Sequence, residues 1–210
     1  MSKTITRLFD NYSDASNAVR DLEKLGVDHH DLSIVAYNAD KAHGEHVNHD
    51  RDDVIDYGDV NLGATTGAAL GGVSGLLAGL GLLAIPGLGP IVAAGWLTAT
   101  AAGAGIGALG GAATGSMIGA LKNAGHTDED AHVYSEGVRR GGSLVSAKVT
   151  DNLVGEAEAV LQRNRSVDAQ TRGQAYRKSG WTSFDEKAPA YTPDQVKRER
   201  SLYENDMSRD

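Results

Sequence analysis

"GATTGAALGGVSGLLAGLGLLAIPGLGP", residues 63–90, carries no charge and repeats glycine at four-residue spacing through its first half. It belongs to a longer block. From Val60 to Leu121 there is no charged residue, and glycine fills 17 of the positions. Gly63, Gly67, Gly71, Gly75 and Gly79 form one four-residue series, and Gly103, Gly107, Gly111, Gly115 and Gly119 form another. Between them "IPGLGP" sets Pro86, Gly87, Gly89 and Pro90, residue types that break a helix and reverse the chain. The pattern predicts a helical hairpin with arms of about Asn61–Ala84 and Ile91–Leu121.

Arms of that length would run about 36 and 46 Å, beyond the ~30 Å hydrocarbon thickness of a bilayer. In water each glycine costs a helix about 1 kcal/mol relative to alanine. In lipid, unpaired backbone groups are costlier still, and small-xxx-small stripes let helix backbones touch. The leucines of the first arm favour insertion weakly, while Thr65, Thr66 and Ser74 oppose it. Absence of charge is the stronger signal. The expectation is membrane insertion together with homo-oligomerisation through the glycine stripes, lipid and further copies of the chain being the partners. A soluble homo-oligomer with its hairpins in a shared core is the alternative.

Outside the block the chain is charged, and the net charge of the 210 residues is −8. Residues 1–61 hold six Lys/Arg against thirteen Asp/Glu, so nucleic acid, which demands a basic face, is not an expected partner. Cysteine is absent, excluding disulfides and thiolate chemistry. "MSKTITRLFD" lacks the apolar run of a secretory signal, so the cytoplasmic side is the expected compartment.

Working outward from the block, "KTITRLF" alternates as a strand should. Asn11 and Ser13 offer capping oxygens to a helix carrying Ala15, Ala18, Val19, Leu22 and Leu25, which Gly26 stops. "DLSIVAY" reads as a second strand. After the block, Thr127 opens a helix with Ala131, Tyr134 and Val138 on one face, closed by Gly141 and Gly142. "SLVSAKV" is a third strand, a helix begins near Asp151, and "SVDAQT" is a weaker fourth strand. The expected fold class is therefore α+β: a split ferredoxin-like βαβ–βαβ domain interrupted by the helical hairpin. Its parts are 1–37, an acidic linker 38–59, the hairpin 60–121, the second half 122–171, and a tail 172–210. In the tail, "GWTSFDEKAPAYT" reads either as a docking arm or as a disordered stretch, and Thr192–Pro193 begins a short helix.

The chain resembles the YflT-type, general stress protein 17M-like family of bacterial proteins. The resemblance rests on "TRLFDNYSDASNAVRDLEKLGV…DLSIVAY", "IPGLGPIVAAG", "EGVRRGGSLVSAKV" and the tail phrase "GWTSFDEKAPAYTPDQVKRER". It covers most of the chain except 38–59. It implies a small α/β domain with a glycine-zipper segment, associated with general stress, and carries no catalytic residue.

Few residues suggest chemistry. His43, His46 and His49 stand three apart among acids, a donor set for zinc, copper or nickel, but no cap or apolar seam supports the helix that would align them. A solvated linker is the expectation, with no metal or other cofactor. His29 and His30 fall at a helix-to-strand turn, where exposure is expected. Gly105, Gly107 and Gly110 match GxGxxG inside the second glycine series, without the strand and acid that dinucleotide binding needs. In "EGVRRGG", Arg139 and Arg140 could contact an anion or lipid headgroup, as a ligand-sensing module would require; equally, they could face a helix C-terminus. No Ser/His/Asp set or carboxylate pair singles out a catalytic centre. A non-enzymatic protein is expected.

Overall fold

The computed structural model describes residues 2–38, 81–85, 88–97 and 117–207. Strand β1 (Ser2–Phe9) leads into helix α1 (Tyr12–Lys24), which starts where the Asn11 side chain accepts from the Asp14 N–H. Its apolar stripe of Ala15, Ala18, Val19 and Leu22 is buried, and Gly26 takes a φ of +98° just past its end. A short 3₁₀ turn, His29–Asp31, delivers the chain to β2 (Leu32–Tyr37), whose six residues are all buried.

Here the expected architecture fails. The segment around "IPGLGP" is a β-hairpin, not a helical one: β3 (Gly81–Ile85) pairs antiparallel with β4 (Gly89–Gly95). β4 in turn pairs antiparallel with β2, from Ser33↔Gly95 to Tyr37↔Ile91. The end of the expected second arm, which holds Gly119, is helix α2 (Met117–Asn123), a part of the domain core through Met117, Ala120 and Leu121. Backbone pairing decides the matter. The second edge of β2 is buried, and a strand satisfies its N–H and C=O groups where a helix cannot. Among the described residues no helix is long and apolar enough to cross a membrane. Gly63, Gly67, Gly71, Gly75, Gly79, Gly103, Gly107, Gly111 and Gly115 lie outside the described residues, as do Pro86 and Gly87.

Helix α3 (Asp128–Arg139) follows, capped by Thr127, then β5 (Ser143–Thr150), a 3₁₀ turn, and α4 (Val154–Arg163). The sheet order is β1-β5-β2-β4-β3, antiparallel throughout. The expected fourth strand shrinks to one bridge, Leu8↔Val167. Its next residue, Asp168, turns its carboxylate onto the Thr171 N–H and caps helix α5 (Ala169–Lys178) instead. The 171/172 boundary thus falls inside a helix. A last helix, α6, runs Pro193–Met207.

Both sheet faces are covered, as the alternation along each strand requires. Ile5, Phe9, Ile34, Ala94, Val145 and Ala147 pack under α1 and α4. Leu8, Val35, Ile91, Ala93 and Leu144 pack with residues of α2, α3 and α5 on the other side.

Gly95 separates the two readings of the uncharged block experimentally. Its φ is +92°, and a Cβ there would lie 2.2 Å from the Leu32 carbonyl oxygen. In a helix, Gly95→Ala would stabilise by about 1 kcal/mol. In this sheet it destabilises by roughly 1–3 kcal/mol, read from urea unfolding of the full chain.

Candidate functional site

A group of charged and aromatic side chains converges where α3 ends. Glu136 is completely buried there. Its Oε1 accepts from Arg139 Nη2 at 2.6 Å and from Arg140 Nε at 2.6 Å, and its Oε2 from Arg139 Nε at 2.9 Å. Arg140 also donates through Nη1 to Glu199 Oε1 of α6 at 2.8 Å, and the Tyr203 hydroxyl donates to that same oxygen. The Arg140 guanidinium lies 4.2 Å over the Tyr176 ring. Burial opposes its charge, but the hydrogen bonds it donates to Glu199 and Glu136 outweigh burial and hold it protonated well past the ordinary range.

Around this core the tail closes. Arg172 of α5 is buried, bonds Asp10 at 2.6 Å, and stacks 3.8 Å over Tyr203. Arg200 donates to the Gly141 carbonyl at 2.8 Å, on the negative end of the α3 macrodipole. Gly141 has a φ of +96° and lies against Val196, which a Cβ would meet at 2.2 Å. The Tyr37 hydroxyl donates to the Tyr191 carbonyl, Phe184 is buried, and its N–H donates to His132 Nδ1 at 3.2 Å. "GWTSFDEKAPAYT" is thus laid along the domain.

Arg139 and Arg140, singled out in the sequence, are brought together here: both bond Glu136, Arg140 also bonds Glu199, and Arg139 Nη1 donates to the Pro189 carbonyl at 3.4 Å. An added anion would compete with these acceptors for the two guanidiniums. The cavity among Leu8, Asp10, Arg140, Tyr176, Arg200 and Tyr203 measures about 10 Å³, room for about one water. The arrangement can hold a tail; it has no space for a metabolite. Sequence reasoning missed Glu136, although Glu136–Arg139–Arg140 has the i, i+3, i+4 spacing of helix ion pairs. Asp10, Arg172, Glu199 and Tyr203 carried no local signal. His43, His46 and His49 lie outside the described residues, as do Gly105, Gly107 and Gly110; Gly89 and Pro90 open β4.

A second polar group lies between the sheet and α3. His126 Nε2 and Thr6 Oγ1 are 2.6 Å apart, Thr6 Oγ1 and Ser146 Oγ are 2.9 Å apart, and the Tyr134 hydroxyl donates to the Thr6 carbonyl. Thr6 and Ser146 are each 1% exposed, so neither hydroxyl can meet a substrate. Burial pushes the Tyr134 phenol up to about 12 and lowers the His126 imidazole. Comparison with protein-family models, with curated proteins and with solved structures finds no match to the chain.

Two outcomes follow from this geometry. Glu136→Gln leaves Arg139 without its carboxylate and Arg140 with Glu199 alone, and costs about 3–5 kcal/mol in denaturant unfolding, with faster tryptic cleavage after Lys187 in the loosened arm. For His126, the unfolded imidazole takes up its proton near pH 6.5, whereas the folded one does so only at lower pH. Its contribution to stability is therefore full above that pH and is lost as pH falls through the folded value. Urea midpoints measured from pH 7.5 down to 5 fall more steeply in the wild type than in His126→Asn.

Proposed function

We propose that this protein is a self-associating structural protein whose copies meet along the outer edge of β3. The observation that carries this reading is the combination of an uncharged strand, "GLLAI", with an outer edge that pairs with no other strand among the described residues. Such an edge presents a row of free donors and acceptors to another chain. The register says which groups these are. Ala84 stands opposite Pro90, which has no N–H, so this pair exchanges no hydrogen bonds across the hairpin. By the alternation of an antiparallel ladder, Leu82 and Ala84 turn their N–H groups outward.

The internal satisfaction of Arg139 and Arg140 also supports assembly over ligand sensing. No catalytic role forms part of this reading, and the stress association implied by the resemblance is compatible with it.

The test is light scattering of the untagged full chain after size separation, without detergent. Wild type should run as an oligomer, and Ala84→Pro, which removes an outward donor and spares the β4 ladder, should shift it to smaller species with unchanged circular dichroism. A monomeric wild type, or an Ala84→Pro variant of unaltered mass, overturns the proposal. So does retention of the native protein with lipid after carbonate extraction, which would return the assignment to a membrane role.

A further inference from the structure

The turn between α1 and β2 gathers three metal-ligating side chains. One ligand atom each from Asp28, His29 and His30 lies within 4.8 Å of the others. The two imidazole rings are 3.9 Å apart between centroids, and His29 Nδ1 is 3.5 Å from Asp28 Oδ1. Asp28 and His30 are exposed and His29 half-buried, so all three can reach a solvated ion.

The backbone beneath them is held firmly. Asp28 Oδ1 accepts from the His30 N–H at 2.9 Å, and the Asp28 carbonyl accepts from the Asp31 N–H at 2.9 Å. The Trp96 indole, arriving from the end of β4, donates to the Asp31 carbonyl at 3.1 Å. These bonds tie the backbone of the turn to itself and to the end of β4. Glu23, at the end of α1, lies close enough to His29 to feel its charge. Arg20 is the cation facing Glu23.

We infer that Asp28, His29 and His30 form a site for one borderline divalent transition-metal ion, of the zinc, copper(II) or nickel class. Two imidazole nitrogens and one carboxylate suit that class and leave the remaining coordination positions to water. With metal–ligand bonds of about 2.0–2.2 Å, tetrahedral ligand atoms stand roughly 3.4 Å apart. Closing from the observed spread moves the ligand atoms by about 1 Å, at two exposed side chains and one half-buried one. The linker histidines are a separate donor set, and the site requires none of them.

The experiment uses the full chain with His43, His46 and His49 changed to Asn, which removes the linker as a competing chelator. Zinc is titrated calorimetrically in a non-coordinating buffer, and copper(II) is followed by electron paramagnetic resonance. One equivalent of metal is expected, with hyperfine splitting from two nitrogens. Adding His29→Gln and His30→Gln should weaken zinc binding at least tenfold and abolish the two-nitrogen signature, with the thermal melt of the metal-free protein unchanged. Failure of the linker-free chain to bind zinc at micromolar concentration overturns the assignment. So does binding that survives loss of both imidazoles, which would place the ion at His126 or His132.

Discussion

Everything in the sheet depends on the second edge of β2. All six residues of β2 are buried, and β5 pairs with only one of its edges. The other edge needs partners, since a buried backbone group left unpaired costs about 1–3 kcal/mol. β4 supplies them, so part of the uncharged block belongs to the core of the α/β domain and is no appendage. The apolarity of "IVAAG" has the same origin: Ile91 and Ala93 fill one side of the sheet and Ala94 the other.

That constraint explains why some of the fold was legible in the sequence and some was not. β1, α1, β2, α3, β5 and α4 each announce themselves locally, through alternation, capping oxygens and glycine stops. The β-hairpin does not, because an uncharged run of Gly, Ala and Leu has no period that separates strand from buried helix. One clue was present. The four-residue glycine series ends at Gly79 and resumes at Gly103, so residues 81–95 fall in the gap, and within them Ile85, Ile91 and Val92 are β-branched. The weak strand around Val167 was lost to a competing local preference: Asp168 is a better helix cap than strand residue. Of the cluster at the end of α3, the arginines were visible and their partners were not. Asp10, Arg172 and Glu199 converge only through the chain's long-range path, which no spacing rule encodes.

The cluster itself is better understood as a device for position than as a source of stability. Exchanging water for a carboxylate gains an arginine little net energy once both are desolvated. What the network supplies is selectivity among ways of laying down the tail. Glu199 must meet Arg140, Arg200 must meet the Gly141 carbonyl, and Val196 must occupy the space that Gly141 leaves open. A shift of α6 by one residue would break all three together and leave buried charges unpaired. Aromatic stacking adds direction, since Tyr176 lies under Arg140 and Tyr203 under Arg172.

The two outer edges of the sheet are treated differently, and this asymmetry bears on assembly. At the β1 edge, Lys3 is exposed, Arg7 adds a second charge, and the Leu8↔Val167 bridge covers one end. Charges and short coverings of that kind are how edge strands avoid joining other sheets. β3 has neither. Its five residues carry no charge and include no proline. A chain with net charge −8 is not short of charged residues to place there. Their absence from one edge of a sheet whose other edge is protected is the asymmetry on which the proposed assembly rests.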